Sequence, residues 1–298
     1  MGTVVAMRRW WQDLTDLVLP AECGGCGRTR AVLCQECRAV LSGAAASRVR
    51  PVPEPAGLPV VHAAARYADE ARATLLAHKE RGALALAGPL GVALAGAVRA
   101  GLHRAGGEQP WIHGGGAPVL LVPVPSGRRA VRARGHDPVR RIALAAAGEL
   151  RRSGIPARVL GVLRQRRAVA DQAELNSRQR LENLAGALTV APGGARLLTE
   201  GPVVLVDDVM TTGASMAEAA RAVRAAGLVS NAVGTEAVYE GETRESREEQ
   251  NVGSGRERTA GRPGRRVIAG AVGVGGVVDV VGAAVVAASP DSFEINRN

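Results

Sequence analysis

The stretch Val203-Val204-Leu205-Val206-Asp207-Asp208-Val209-Met210-Thr211-Thr212-Gly213-Ala214-Ser215 has residue types in an order that can do chemistry. Its apolar run predicts a strand, Val203–Val206, buried on both faces and ending in two adjacent carboxylates. A turn of small hydroxylated residues follows and opens into a helix, Ala214–Ala226, that stops at Gly227. Free backbone N–H groups and the positive helix end make such a turn an anion cradle. Gly213 lets backbone approach a ligand, and Thr211, Thr212 and Ser215 add hydroxyl donors. Paired carboxylates at the carboxyl end of a strand suit a ribose cis-diol, or a Mg²⁺ reached through its waters. A simple helix cap explains one acceptor there, but not two carboxylates beside a hydroxyl cluster. Phosphate next to ribose is the ligand chemistry this pattern predicts.

A second stretch, Leu121-Val122-Pro123-Val124-Pro125-Ser126, ends a strand in a stiff Pro-Val-Pro turn, with Arg128, Arg129, Arg132 and Arg134 behind it. Alone it reads as a turn; ahead of an anion loop it gains meaning, because arginines neutralise a polyphosphate well. A third set, Cys23-x₂-Cys26-x₇-Cys34-x₂-Cys37, holds every cysteine of the chain within fifteen residues. Two Cys-x-x-Cys knuckles offer four thiolates for a tetrahedral Zn²⁺, with no open coordination position for catalysis. The rival reading, a redox dithiol, needs one such pair and not two. Loss of the metal is expected to unfold the knuckle and spare the rest.

The elements that position these groups alternate from about Val60 onward, as in α/β architecture. Strands are expected at Val60–Tyr67, Val119–Val124, Arg158–Leu163 and Val203–Val206, with a last one at Val277–Ala288. Helices are expected at Ala68–Arg81 (ending at Gly82), Ala83–Ala105, Val139–Ser153, Gln172–Leu184 and Ala214–Ala226. Before them, Trp10, Trp11, Leu14, Leu17 and Val18 recur at helical spacing up to Pro20, and Pro51, Pro53, Pro55 and Pro59 stiffen a linker. Leu228–Gly276 is expected to be an insertion, because Glu240–Arg266 is charged, Gly-rich and poor in apolar residues. The organisation read from this is 1–58 (helix, cysteine knuckle, linker), 59–227 (α/β domain), 228–276 (insertion) and 277–298 (last strand and tail).

Composition narrows the function classes. The chain has 298 residues, of which 46% are hydrophobic and 2% aromatic, so its core is built from Ala, Val and Leu. A stacking platform for bases is thereby disfavoured. The net charge of +10 comes almost wholly from arginine, with Lys79 the single lysine. A locally basic anion site accounts for it better than a nucleic-acid groove. Val267–Ala288 is long enough to span a bilayer, but Asp279 and five glycines favour a buried strand. Asp13 and Asp16 interrupt what would be the apolar core of a secretory signal, and Met7 offers a second start. A cytoplasmic location with reduced thiols and no membrane span is the expectation.

Taken in order, these three features resemble the ComF family, and Val203–Ser215 resembles the phosphoribosyl-pyrophosphate (PRPP) signature of type I phosphoribosyltransferases. Leu75-x₃-Lys79-x₂-Gly82, Arg132-x-Arg134-Gly135-His136-Asp137 and Gln172-x₂-Leu175-x₄-Arg180-x₂-Asn183 are similar to further family elements. His136 and Asp137 depart from the aromatic residue and Asn of that pattern, and the 228–276 insertion is foreign to it. The resemblance covers about Trp10–Gly227 and the last strand. It implies a type I phosphoribosyltransferase fold, a parallel sheet flanked by helices, with a small N-terminal zinc ribbon. It further implies that Thr211, Thr212, Gly213, Ala214 and Ser215 hold the 5′-phosphate and that Asp207 and Asp208 hold the ribose hydroxyls. Pro123, Val124, Pro125 and Ser126 would face pyrophosphate, supported by Lys79 and Arg134. Mg²⁺ would accompany PRPP, an unidentified nitrogen nucleophile would accept the ribosyl group, and single-stranded DNA or a DNA-uptake (competence) machinery would be a possible partner. The alternative to an enzyme is a non-catalytic PRPP- or nucleotide-binding accessory protein on the same fold.

Overall fold

The computed structural model describes residues 22–104, 117–167, 179, 183–228, 278 and 280–293. The expected helix around Trp10–Val18, nearly all of the expected Gln172–Leu184 helix and nearly all of the 228–276 insertion lie outside the described residues. In chain order the elements are α1 (Gln35–Ser42), β1 (Ser47–Val49), β2 (Val61–Arg66), α2 (Asp69–Lys79) and α3 (Ala87–Arg104). Then come β3 (Val119–Pro123), α4 (Arg128–Arg134), α5 (Pro138–Arg152), β4 (Ala157–Val159), β5 (Leu163–Gln165) and β6 (Leu188–Val190). The last are α6 (Gly194–Leu198), β7 (Val203–Met210), α7 (residues 214–228) and β8 (Val280–Ala288).

Six strands form one sheet in the order β1-β2-β8-β7-β3-β4, parallel except for β1, which runs antiparallel on the β2 edge. The fold is therefore mixed α/β with a mostly parallel central sheet flanked by helices. Its strands read as continuous apolar runs because both faces are covered. Period-two alternation divides the core: Leu121, Val204, Val206 and Val286 face α2, α3 and α5, while Leu120, Val122, Leu205 and Val285 face α7 and the β5–β6 hairpin. From β3 the chain moves outward to β4, whereas from β7 it moves the other way to β8. The carboxyl ends of β3 and β7 thus flank a topological switch point, where open α/β sheets leave a crevice.

Local signals account for the element ends. Asp137 caps α5, its carboxylate accepting the Arg140 N–H at 3.1 Å with Pro138 in the first turn. Helix α2 carries Asp69 and Glu70 in its first turn and His78 and Lys79 in its last, in keeping with its dipole. The expected single strand over Arg158–Leu163 is instead two. Val159 ends β4 in the main sheet, and after Gly161 the chain turns away so that Leu163 starts β5, which pairs only with β6. The apolar run was continuous because Leu160, Val162 and Leu163 are all buried across that crossing. The stretch expected as a linker is packed: Pro51, Pro55 and Pro59 are buried, and Arg224 Nη1 donates to Gly57 O at 2.8 Å.

Of the expected Val277–Ala288 strand, Val278 and Val280–Ala288 are described, and Val280–Ala288 is β8, lying between β2 and β7. A different segment, Leu84–His103, is long and apolar enough to cross a membrane, with a mean hydropathy of 1.5. Its Leu90, Leu94, Ala97 and Val98 are fully buried in the core under the sheet, as a core helix requires.

Candidate functional site

Helix α7 starts immediately beyond β7, so the turn between them is short and lies at the switch point. Asp207 and residues 209–216 line a small, solvent-open pocket of about 30 Å³. Gly213 in that turn has a left-handed backbone (φ 73°), and a Cβ there would come within 3.2 Å of Leu58 and 3.3 Å of Pro51. The glycine expected for ligand approach is thus also required by its backbone angle and by the Pro51–Leu58 segment packed over it. Thr211 is exposed, and Thr212 and Ser215 are half-buried.

Asp207 Oδ1 accepts the Asp208 N–H at 2.8 Å, and Asp208 Oδ1 accepts the Val209 N–H at 2.9 Å. Asp208 is buried, and its Oδ2 accepts from Lys79 Nζ at 2.9 Å. Burial works against the Lys79 ammonium, yet the Asp208 carboxylate outweighs it and holds the lysine above its ordinary pKa. Burial raises the Asp207 carboxyl well above the usual carboxylate range, and the neighbouring Asp208 charge adds to that; Lys79 only partly offsets them. The two acids therefore differ: Asp208 is neutralised by a salt bridge, while Asp207 faces the pocket. Both carboxylates already accept hydrogen bonds, and one is paired with an ammonium, so the protein alone does not form a Mg²⁺ site. A divalent cation would have to come in on the ligand's own oxygens.

Register places Pro123 of β3 opposite Val206 of β7, so Val124, Pro125 and Ser126 leave the sheet beside the two acids. Val124 N–H donates to Val206 O at 2.9 Å, while Pro125 and Ser126 are half-exposed. Arg134, at the end of α4, makes a bidentate pair with Glu80 (3.0 and 3.2 Å), one residue beyond Lys79. The expected phosphate-facing arginine is therefore already half neutralised by a carboxylate that sequence reasoning did not single out.

Two histidines sit behind these charges. His78 is fully buried with Nδ1 against Ala83 O (3.3 Å), and His136 Nδ1 lies 3.2 Å from Arg134 O. Their rings are 5.9 Å apart. His78 Nε2, His136 Nε2 and Arg134 Nη1 are buried without a hydrogen-bond partner among the described residues. Burial lowers the His78 pKa, and the neighbouring His136 adds to this against the carbonyls of Ala83 and Pro138. His136 is partly buried between α4 and α5. The signal that could have found the pair is that His78 directly precedes Lys79 and His136 lies two residues beyond Arg134, the two positions flagged for charge.

The four cysteines converge: their Sγ atoms all lie within 4.8 Å of one another, and Cys26 Sγ is 3.6 Å from Cys34 Sγ. A tetrahedral Zn²⁺ with sulfur bonds near 2.3 Å puts its sulfurs about 3.8 Å apart, so the donor set and spacing fit zinc. No disulfide joins them. Cys23 Sγ accepts the Cys34 N–H at 3.3 Å. Burial opposes its thiolate, but backbone N–H groups from Cys34, Cys26 and Gly25 prevail and bring the thiol down to about 6, whereas burial and the neighbouring cysteines push the Cys37 thiol up. Cys23, Cys34 and Cys37 are buried and Cys26 is exposed. No protein-family model matches the chain, and no curated protein matches it.

Proposed function

We propose that the chain binds PRPP at the β7–α7 turn and transfers its ribosyl phosphate to a nitrogen nucleophile. The observation that carries this reading is the pocket at the switch point. It combines a hydroxyl-lined turn at a helix start with one pocket-facing carboxyl, Asp207, and one carboxylate paired with Lys79, Asp208. In this reading the Thr211–Ser215 turn takes the 5′-phosphate through backbone N–H and hydroxyl donors. Asp207 accepts from the ribose hydroxyls, and the Pro123–Ser126 turn, with Lys79 and Arg134 behind it, faces the pyrophosphate. In the reaction the bond from C1 to pyrophosphate oxygen breaks, a C1–N bond forms, and the nucleophile loses a proton. The resident groups would contribute positioning and charge support for the departing pyrophosphate. The resemblance to ComF and to type I phosphoribosyltransferases supports the same assignment, including a link to DNA uptake.

Calorimetric titration of zinc-loaded protein with PRPP, with and without Mg²⁺, tests the binding. Saturable binding that Asp207→Asn weakens is expected; a well-folded protein that ignores millimolar PRPP in both conditions overturns the reading. Pyrophosphate release with a panel of bases and amines then separates turnover from a PRPP-binding module that does no chemistry.

A further inference from the structure

The cysteine knuckle is built into the wall of α2. A Cβ on Gly24 would lie 2.6 Å from Leu86 Cδ1 and 3.5 Å from the Ala77 Cβ. A Cβ on Gly25 would lie 2.7 Å from Cys37 Sγ and 3.2 Å from Thr74 Oγ1. Thr74 is fully buried, its hydroxyl tied to Glu70 O at 2.7 Å. Arg81 Nη2 reaches both Gly24 O (3.4 Å) and Ala73 O (3.5 Å). The knuckle backbone therefore rests on the Thr74–Ala77 face of α2 without a side chain between them. Two residues beyond Ala77, on a different face of the same last turn, Lys79 meets Asp208. The turn is also held by His78, whose Nδ1 meets Ala83 O, and beyond it Gly82 has a left-handed backbone (φ 67°).

From this juxtaposition we infer that the four-cysteine knuckle is a positioning element for the Asp207–Asp208 site, setting through α2 where Lys79 meets Asp208. A knuckle this small keeps its shape only with its metal bound. When the metal leaves, the surface under Thr74 and Ala77 loosens and the last turn of α2 loses its support. Lys79 then moves away from Asp208, which leaves a bare carboxylate next to the anion loop. Anion binding weakens as a result, since a like charge beside the loop opposes it. The consequence for PRPP rests on the function proposed above; the movement of Lys79 does not.

Lys79 is the single lysine of the chain, so amine chemistry reports on it directly. The full chain is acetylated with an amine-specific reagent, and mass spectrometry of the Lys79 peptide gives a labelling rate, counted separately from the terminal amine. Zinc-loaded protein, zinc-stripped reduced protein and Asp208→Asn are compared, the last giving the rate for lysine without its carboxylate. Zinc removal is expected to speed labelling toward the Asp208→Asn rate, since a lysine parted from its carboxylate is more accessible and more often the free amine. Gly24→Ala, which drives a methyl toward Leu86 while keeping all four cysteines, is expected to speed it too, with zinc still counted by native mass spectrometry. Gly24→Ala decides the matter if the stripped protein unfolds as a whole. Labelling that stays at the zinc-loaded rate in every sample that keeps its core, while Asp208→Asn labels fast, overturns the inference. If labelling responds but PRPP binds to no sample, the coupling stands and the substrate assignment falls.

Discussion

Lys79 Nζ lies 2.9 Å from Asp208 Oδ2, joining the last turn of α2 to the carboxyl end of β7 across 129 positions of sequence. Asp208 is nearly sealed from solvent and Lys79 is 32% exposed at its side chain. Beside them Asp207 has no cation of its own at hydrogen-bond distance among the described residues. The two adjacent acids should therefore respond to substitution with opposite signs.

Asp208→Asn strands a partly buried ammonium and should cost roughly 1–3 kcal/mol, less than a fully buried pair because Lys79 keeps some water. Asp207→Asn should raise the melting temperature at pH 7. Burial and the Asp208 charge hold the folded-state pKa of Asp207 above its unfolded value. The folded chain thus binds more protons in that window, and stability falls as pH rises through it. Removing the charge recovers what is lost above the window. Thermal unfolding of both variants between pH 4 and 8 checks the signs; equal shifts in one direction would refute the asymmetry. On the function proposed above, PRPP affinity should fall in both.

A second buried acid holds the β5–β6 hairpin. Glu218 of α7, 6% exposed, accepts the Leu188 N–H at 2.9 Å and pairs with Arg221, whose Nη2 also donates to Leu188 O at 3.0 Å. Burial pushes the Glu218 carboxyl up, but Arg221 and the Leu188 N–H outweigh it, leaving the pKa lowered. Its stabilisation is thus present above the ordinary glutamate pKa and is lost as pH falls through the depressed folded value. Glu218→Ala should cost about 3 kcal/mol, because it leaves a β6 amide and Arg221 without their acceptor. Hydrogen exchange should show β6 amides losing protection before those of β7. Equal protection loss in both strands would mean that Glu218 supports the whole sheet and not the hairpin.

Much of this was legible in the residues. Val203–Val206 announces itself because a strand covered on both faces is apolar throughout, and the cysteines because thiols at knuckle spacing have few other uses. Ser47–Val49 and Leu188–Val190 were not read, since three residues carry no periodicity. Helix α4 escaped because Arg128–Arg134 is mostly arginine and has no apolar stripe. The Arg158–Leu163 run hid a change of sheet, as burial alone does not say which layer a residue joins. Least readable was the pairing that organises the site: nothing local to Lys79 or Glu80 says that one will meet Asp208 and the other Arg134.

Gly213 separates two readings of the anion turn. Gly213→Ala places a methyl within 3.3 Å of Leu58 and Pro51 and forces an L-residue into a left-handed conformation. The strain should cost about 1–2 kcal/mol of stability whether or not a ligand is present. Thr212→Val keeps shape and backbone and removes only a hydroxyl donor. It should leave the melting temperature of the free protein nearly unchanged while weakening PRPP about tenfold, as one lost hydrogen bond to a charged group implies. Thermal shift with and without ligand distinguishes them. If Thr212→Val binds ribose 5-phosphate and PRPP as well as wild type does, the hydroxyl does not face the ligand.

The metal prediction changes most once the packing is known. From sequence alone the knuckle should unfold on its own and spare the rest, but Cys23, Leu33, Cys34, Cys37 and Leu41 share one continuous core with Leu75, Leu86 and Leu90. Unseating Leu33 and Leu41 alone exposes apolar surface worth about 3–5 kcal/mol, an upper figure because denatured chains are not fully extended. One tightly held zinc per chain is expected by native mass spectrometry, lost when Cys23 and Cys26 are both changed to Ser. The melting temperature should drop with it by about 10 °C, a shift felt by the whole domain. Near-ultraviolet and far-ultraviolet circular dichroism, followed during chelation, would show whether the sheet loosens with the knuckle. A chain that binds no zinc and instead forms a disulfide with its stability intact would make the cluster a redox dithiol. A zinc lost without any change in melting temperature would return the knuckle to the status of an independent appendage.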